Sequence, residues 1–114
     1  MSLTIHQAGP VSILCIEGKL ILGDPATAFR EAVEEMLKAG NQRIVLNFSG
    51  VPYADSSGVG ALAVNFSNVK AAGGSLAVAA VQQAVRDVME LTRLTDLIPF
   101  FESEQEAIQS FGLN

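Results

Sequence analysis

The residues of this chain best placed to do chemistry are Asp55-Ser56-Ser57-Gly58. They follow an apolar stretch, Ile44 to Phe48, and a short loop, Ser49 to Ala54. Their order is that of a helix start: Asp and Ser side chains accept hydrogen bonds from the free amides of a first turn, and glycine permits close packing there. A plain cap needs nothing more. A serine at such a start also has a second use. Its hydroxyl is presented by the loop, and a phosphate on it would meet free amides and the positive end of the helix dipole. That modification brings about −1.5 to −2 charges to any surface the loop presents. Beside Asp55, the added charge would oppose an interface without unfolding the domain.

Little else in the chain could support catalysis. His6 is the one histidine and Cys15 the one cysteine, and no second histidine or cysteine is available to complete a metal site. Cys15 lies within Ser12-Ile13-Leu14-Cys15-Ile16 and reads as a small buried hydrophobe. It has no partner for a disulfide within the chain. Glu17, Asp24, Asp55 and Asp87 are scattered, and each is expected at the surface or in a structural role. The sequence holds neither a G-x-x-x-x-G-K-[ST] phosphate loop nor a G-x-S-x-G elbow. The expectation is a non-enzyme with no cofactor and no metal.

Composition narrows the class further. The 114 residues match one domain, 1–114. With 49% hydrophobic and 17% charged residues, the chain can bury a core and is not disordered. The net charge of −5, without any Lys or Arg cluster, argues against nucleic acid and anionic membrane surfaces as partners. No apolar run approaches the about 20 residues that span a bilayer. Met1 to Ile5 shows no basic segment leading into an apolar one. The expectation is a cytoplasmic protein without membrane insertion, whose partners are proteins.

The surrounding elements follow from hydrophobic spacing. Leu3 to Gln7 and Val11 to Glu17 read as a hairpin about Ala8-Gly9-Pro10, closed by Gly18. Asp24-Pro25 opens a helix, with Asp24 as its cap, an inner face of Phe29, Ala32, Val33, Met36 and Leu37, and Gly40 at its end. Arg43 to Phe48 is apolar in its middle, as a strand covered on both faces must be. After Asp55-Ser56-Ser57-Gly58, a second helix carries the stripe Val59, Leu62, Phe66 and Val69 and stops at Gly73-Gly74. Ser75 to Ala80 is a strand. Val85, Val88, Met89 and Thr92 line a third helix, and Pro99-Phe100-Phe101 is a short strand. Ser103-Glu104-Gln105-Glu106 has the spacing of a capping box, with Ile108 and Phe111 turned inward. Strands alternating with helices predict an α/β domain: a mixed sheet of four or five strands with about four helices against it.

At this point the chain resembles a STAS domain of the anti-sigma factor antagonist family, from about Ser2 to Gly112. The most specific segment is Ile44 to Gly60, similar to the family's strand, loop, D-S-[ST/A]-G-[LV]-G and helix. Lys70 to Leu76 and Val88 to Leu94 also resemble family segments. The resemblance implies a single STAS-like domain that binds an anti-sigma factor with serine kinase activity and so frees a sigma factor. It implies phosphorylation at the first serine, Ser56, with Ser57 as second choice, and resetting by a PP2C-type phosphatase. Family antagonists often carry an acidic residue soon after a Gly-x-Leu turn, and here Ile21 stands at that position. The expected partner surface is Ile21, Gly23, Asp24, Tyr53, Asp55, Ser56, Ser57, Gly58 and Val59. Tyr53 is a candidate aromatic anchor, with packing on its own domain as the alternative. The other functional reading is a STAS subunit without phosphorylation, in a transporter complex or a signalling scaffold.

Overall fold

A two-residue turn sets the first strand pair. Gly9 has φ 60 and Pro10 cannot follow it to positive φ, which is the pattern of a type II′ turn. The turn joins β1 (Ser2–Ala8) to β2 (Val11–Glu17) in antiparallel register, Ala8 opposite Val11 and Ser2 opposite Glu17. The structure is a computed structural model that describes residues 1–112.

All later pairings are parallel. β2 pairs with β3 (Arg43–Gly50), β3 with β4 (Ser75–Ala79), and β4 with β5 (Phe100–Phe101). The sheet order is β1-β2-β3-β4-β5, so each crossover steps one strand in the same direction. Right-handed crossovers that all step one way place their helices on one face. Those helices are α1 (Asp24–Lys38), α2 (Ser56–Ala71), α3 (Gln83–Leu91) and the single turn α4 (Leu94–Leu97). Among the described residues the sheet thus has five strands, with five helices once α5 (Glu104–Gln109) is included. The expected mixed sheet is present; α4 is the helix that spacing did not reveal.

Two cores result. On the crossover face, Leu14, Ile16, Ile44, Leu46, Phe48, Leu76 and Val78 meet Phe29 and Val33 of α1 and Leu62 of α2. Phe29 and Phe48 pack edge to face, with ring centroids 5.9 Å apart. On the other face, Val11, Ile13, Val45, Ala77 and Ala79 are covered by α5 through Ala107. The two alanines of β4 leave room for a helix at short range. α5 packs on β3, β4 and β5, and the β1–β2 side of that face carries Thr4, His6 and Cys15.

The termini of the helices match their sequence signals with one exception. Gly40 and Gly73 stand just past α1 and α2 with φ 91 and 81, as left-handed caps require. Ser103 caps α5 and accepts from the Glu106 amide at 3.1 Å. Asp24, expected as the cap of α1, is its first residue instead. Gly23 holds the cap position at φ 97, and no side chain caps that end. The Asp24 carboxylate is therefore exposed and unused by the cap, and it complements the helix dipole from the first turn.

Within α2, Val59, Leu62 and Val69 are buried, while Phe66 is half-buried against the core. Asn65 is fully buried on the same helix, and neither its Oδ1 nor its Nδ2 has a partner among the described residues. Among those residues no helix is long and apolar enough to cross a membrane.

Candidate functional site

The β2–β3 pair fixes the site. Cys15 lies opposite Asn47 and Glu17 opposite Gly50, with a register irregularity between them. Beyond the strand ends the two segments stay side by side. Gly18 donates to the Gly50 carbonyl at 2.9 Å, Leu20 donates to Tyr53 at 2.9 Å, and Asp55 donates back to Leu20 at 3.2 Å. Leu20 and Ala54 form a parallel bridge. The segment before α1 and the segment before α2 therefore meet at the carboxyl edge of adjacent parallel strands, where open α/β sheets place ligands and partners.

Asp55 joins the two segments. As the cap of α2, its Oδ1 accepts from the Gly58 amide at 2.9 Å, and its Oδ2 accepts from the Leu22 amide at 3.0 Å. The Leu22 amide first, then the Gly58 amide, hold the carboxyl below the usual aspartate range. Gly58 is required for a separate reason. A Cβ there would collide with the Leu20 carbonyl oxygen and press on the Leu20 side chain, so only glycine lets the first turn of α2 lie on this loop. Leu20 and Ala54 are buried beneath the junction.

Of the residues expected to form a partner surface, Gly23, Asp24, Tyr53 and Ser56 are exposed. Ile21, Asp55 and Ser57 are half-buried. Gly58 and Val59 lie under the surface, Val59 only 4% exposed, so they shape the turn and do not present side chains to a partner. The carbonyl of Ile21 accepts from Ala26 at 3.1 Å, which ties it to the start of α1. Leu22 carried no signal in the sequence beyond its place between Ile21 and Gly23. It is 74% exposed, and Tyr53, on the other segment of the junction, is 49% exposed. A groove between α1 and α2 continues from Leu22 past Arg30, Ser57 and Gly60 to Val64. The result is a capped, hydrogen-bonded turn with an exposed hydroxyl and exposed apolar side chains around it.

The fold and site define a small α/β module whose polar residues gather at a helix start on the sheet's carboxyl edge. The chain belongs to the STAS domain family, whose model matches residues 2–107. In structure it is similar to TM1081 of Thermotoga maritima, described as a candidate anti-sigma factor antagonist, with TM-score 0.88, 25% identity, and coverage of 95% of this chain and 92% of that one. An anti-sigma factor antagonist from Mycobacterium paratuberculosis superposes with TM-score 0.83 at 21% identity, over 96% of this chain and 92% of the other. The Bacillus cell fate determinant SpoIIAA, in its phosphorylated form, does so with TM-score 0.73 at 20% identity, over 96% and 99%. The last two are likenesses of fold.

Proposed function

We propose that this chain is an anti-sigma factor antagonist: a non-enzymatic binding module that, unmodified, holds an anti-sigma factor with serine kinase activity and so frees a sigma factor. The carrying observation is the exposed Ser56 at the first position of α2, beside the exposed Leu22 and Tyr53 and fixed by the Asp55 bonds to Gly58 and Leu22. Phosphoryl transfer breaks the bond between the terminal phosphate of ATP and ADP, forms the bond to Ser56 Oγ, and releases the hydroxyl proton. The phosphoserine sits at the positive end of a helix of 16 residues, so the domain stays folded. Its charge beside Asp55 faces the partner and dissociates the complex. A PP2C-type phosphatase hydrolyses the ester and restores the binding form. The similarity to SpoIIAA, whose phosphorylated form has been solved, supports this reading.

One feature favours a second reading, a STAS subunit of a transporter complex or a signalling scaffold without phosphorylation. Ile21 occupies the place where the resemblance leads one to expect an acidic residue. Asp24, exposed and free of a capping bond, supplies a carboxylate three positions later and keeps the first reading ahead. Phosphosite mass spectrometry of the protein from its native cell separates the two. Phosphate on Ser56 is expected. Its absence under growth and stress, together with co-purification of a transporter subunit, overturns the switch.

A further inference from the structure

Away from the Ser56 junction, the second face of the sheet gathers three donor side chains of different chemistry. His6 of β1 and Cys15 of β2 are diagonal neighbours, since Thr4 pairs with Cys15 and His6 with Ile13. Glu104 comes from the first turn of α5. His6 Nδ1 is 3.9 Å from Cys15 Sγ, and His6 Nε2 is 3.3 Å from Glu104 Oε2. Local spacing does not join them, because His6 and Glu104 are 98 residues apart. No second histidine or cysteine joins His6 and Cys15; the third donor is a carboxylate.

We propose that His6, Cys15 and Glu104 bind one divalent transition ion of the zinc class, with water completing the coordination. One nitrogen, sulfur and carboxylate oxygen from these residues all lie within 4.8 Å of one another. Zinc bonds of about 2.0–2.3 Å in a tetrahedron bring ligand atoms to about 3.3–3.7 Å. Because Nδ1 faces Cys15 while Nε2 faces Glu104, closing the site takes a turn of the imidazole together with shifts of about 1 Å. His6 is exposed, so its ring is the part free to make that movement. The imidazole serves through one ring nitrogen. Imidazole with thiolate selects a borderline ion over magnesium or calcium, which take oxygen ligands.

Two further features fit the ion. Asn47, opposite Cys15 in the sheet, donates from Nδ2 to Glu104 Oε1 at 3.0 Å, which fixes the carboxylate and leaves Oε2 toward His6. Such outer partners orient metal ligands. Charge also closes: a thiolate and a carboxylate neutralise a divalent ion at the rim of an apolar core. On binding, the Cys15 thiol gives its proton to solvent and a metal–sulfur bond forms, with no change of oxidation state. The ion ties β1 and β2 to the start of α5, so it fastens the final helix to the sheet.

Cobalt(II) titration of the untagged, reduced full chain tests this. Saturation at one equivalent is expected, with a sulfur-to-cobalt charge-transfer band in the near ultraviolet and four-coordinate visible bands, both erased by zinc. Cys15→Ser is expected to remove the charge-transfer band. His6→Gln and Glu104→Gln are each expected to weaken binding at least about tenfold, and Asn47→Ala about tenfold through Glu104. Zinc is expected to raise the thermal midpoint of the parent chain by more than that of these variants at the same zinc concentration. Absence of saturable binding overturns the site. So does a cobalt spectrum unchanged in Cys15→Ser or, should that variant not fold, in the exposed-site variant His6→Gln.

Discussion

Asp55 and Leu22 are joined by a single hydrogen bond of 3.0 Å between a carboxylate oxygen and a backbone amide 33 residues away. The same carboxylate caps α2 through Gly58. One charged group therefore sets both the start of a helix and the position of the neighbouring loop. Its two roles need two acceptor oxygens, which the amide of asparagine does not have.

Acid acts on this junction with a defined sign. The Leu22 and Gly58 amides lower the folded carboxyl's pKa. Between the folded and unfolded pKa values the unfolded state holds more protons, so stability falls as pH falls. The contribution is complete above the ordinary aspartate value, about 3.9, and is lost as pH drops through the lower folded value. Amide hydrogen exchange by NMR is expected to show protection of Leu22 and Gly58 declining together over that window. In Asp55→Asn the Gly58 amide stays protected, because Asn is a good cap, while Leu22 exchanges fast at every pH. Equal Leu22 protection in both proteins would show that the bond does not hold the loop.

Two glycines of α2 give opposite outcomes for one chemical change. A methyl at Gly58 meets the Leu20 backbone, which cannot yield as a flexible side chain would. Gly58→Ala is expected to cost about 1–3 kcal/mol or more, as overpacking does. A methyl at Gly60 meets nothing within 4 Å. Gly60→Ala is expected to stabilise by about 0.5–1 kcal/mol through helix propensity. Denaturant unfolding of the two variants decides it, and shifts of the same sign refute the packing account.

These contrasts also mark where the sequence is informative. β3 was legible because Ile44-Val45-Leu46 is apolar on both faces, and the Ser56 turn because Asp, Ser and Gly mark a helix start. α4 was not, since Leu94–Leu97 is a single turn with no period to detect, and it starts after Arg93 at φ 63, an unusual backbone for arginine. Asp24 misled because Asp-Pro is a good cap signal, yet the tight turn at Gly23 took that position. Leu22 and the His6–Cys15–Glu104 cluster depend on strand register and on where α5 lands, and local spacing encodes neither.

Asn65 is a further case of that kind, a polar residue on the buried side of α2. A buried amide without hydrogen-bond partners costs about 1–3 kcal/mol, and leucine has similar size with no polar atoms. Asn65→Leu is expected to raise stability by about that amount, read as the midpoint of chemical unfolding at constant m. A loss above about 1 kcal/mol would mean that the amide makes bonds that leucine forfeits.

The proposed switch makes the last prediction, on Ser56. The cap bond of α2 comes from Asp55, so neither Ser56→Ala nor Ser56→Asp removes it. An aspartate in the first turn gains about 0.3–1 kcal/mol from the helix dipole, partly offset by Asp55 beside it. The domain carrying Ser56→Asp is thus expected to melt no lower than that carrying Ser56→Ala. Binding to an anti-sigma factor kinase should order the other way. An unpaired charge brought into an interface typically costs several kcal/mol, against about 0.5–1.5 kcal/mol for a lost neutral hydroxyl. Ser56→Asp is expected to bind at least about tenfold more weakly than Ser56→Ala, a gap of about 1.4 kcal/mol, measured by titration calorimetry. Because stability and affinity move in different directions, misfolding cannot account for that result. Equal affinities would show that charge at Ser56 does not govern the interface, and Ile21 would then favour the constitutive STAS subunit.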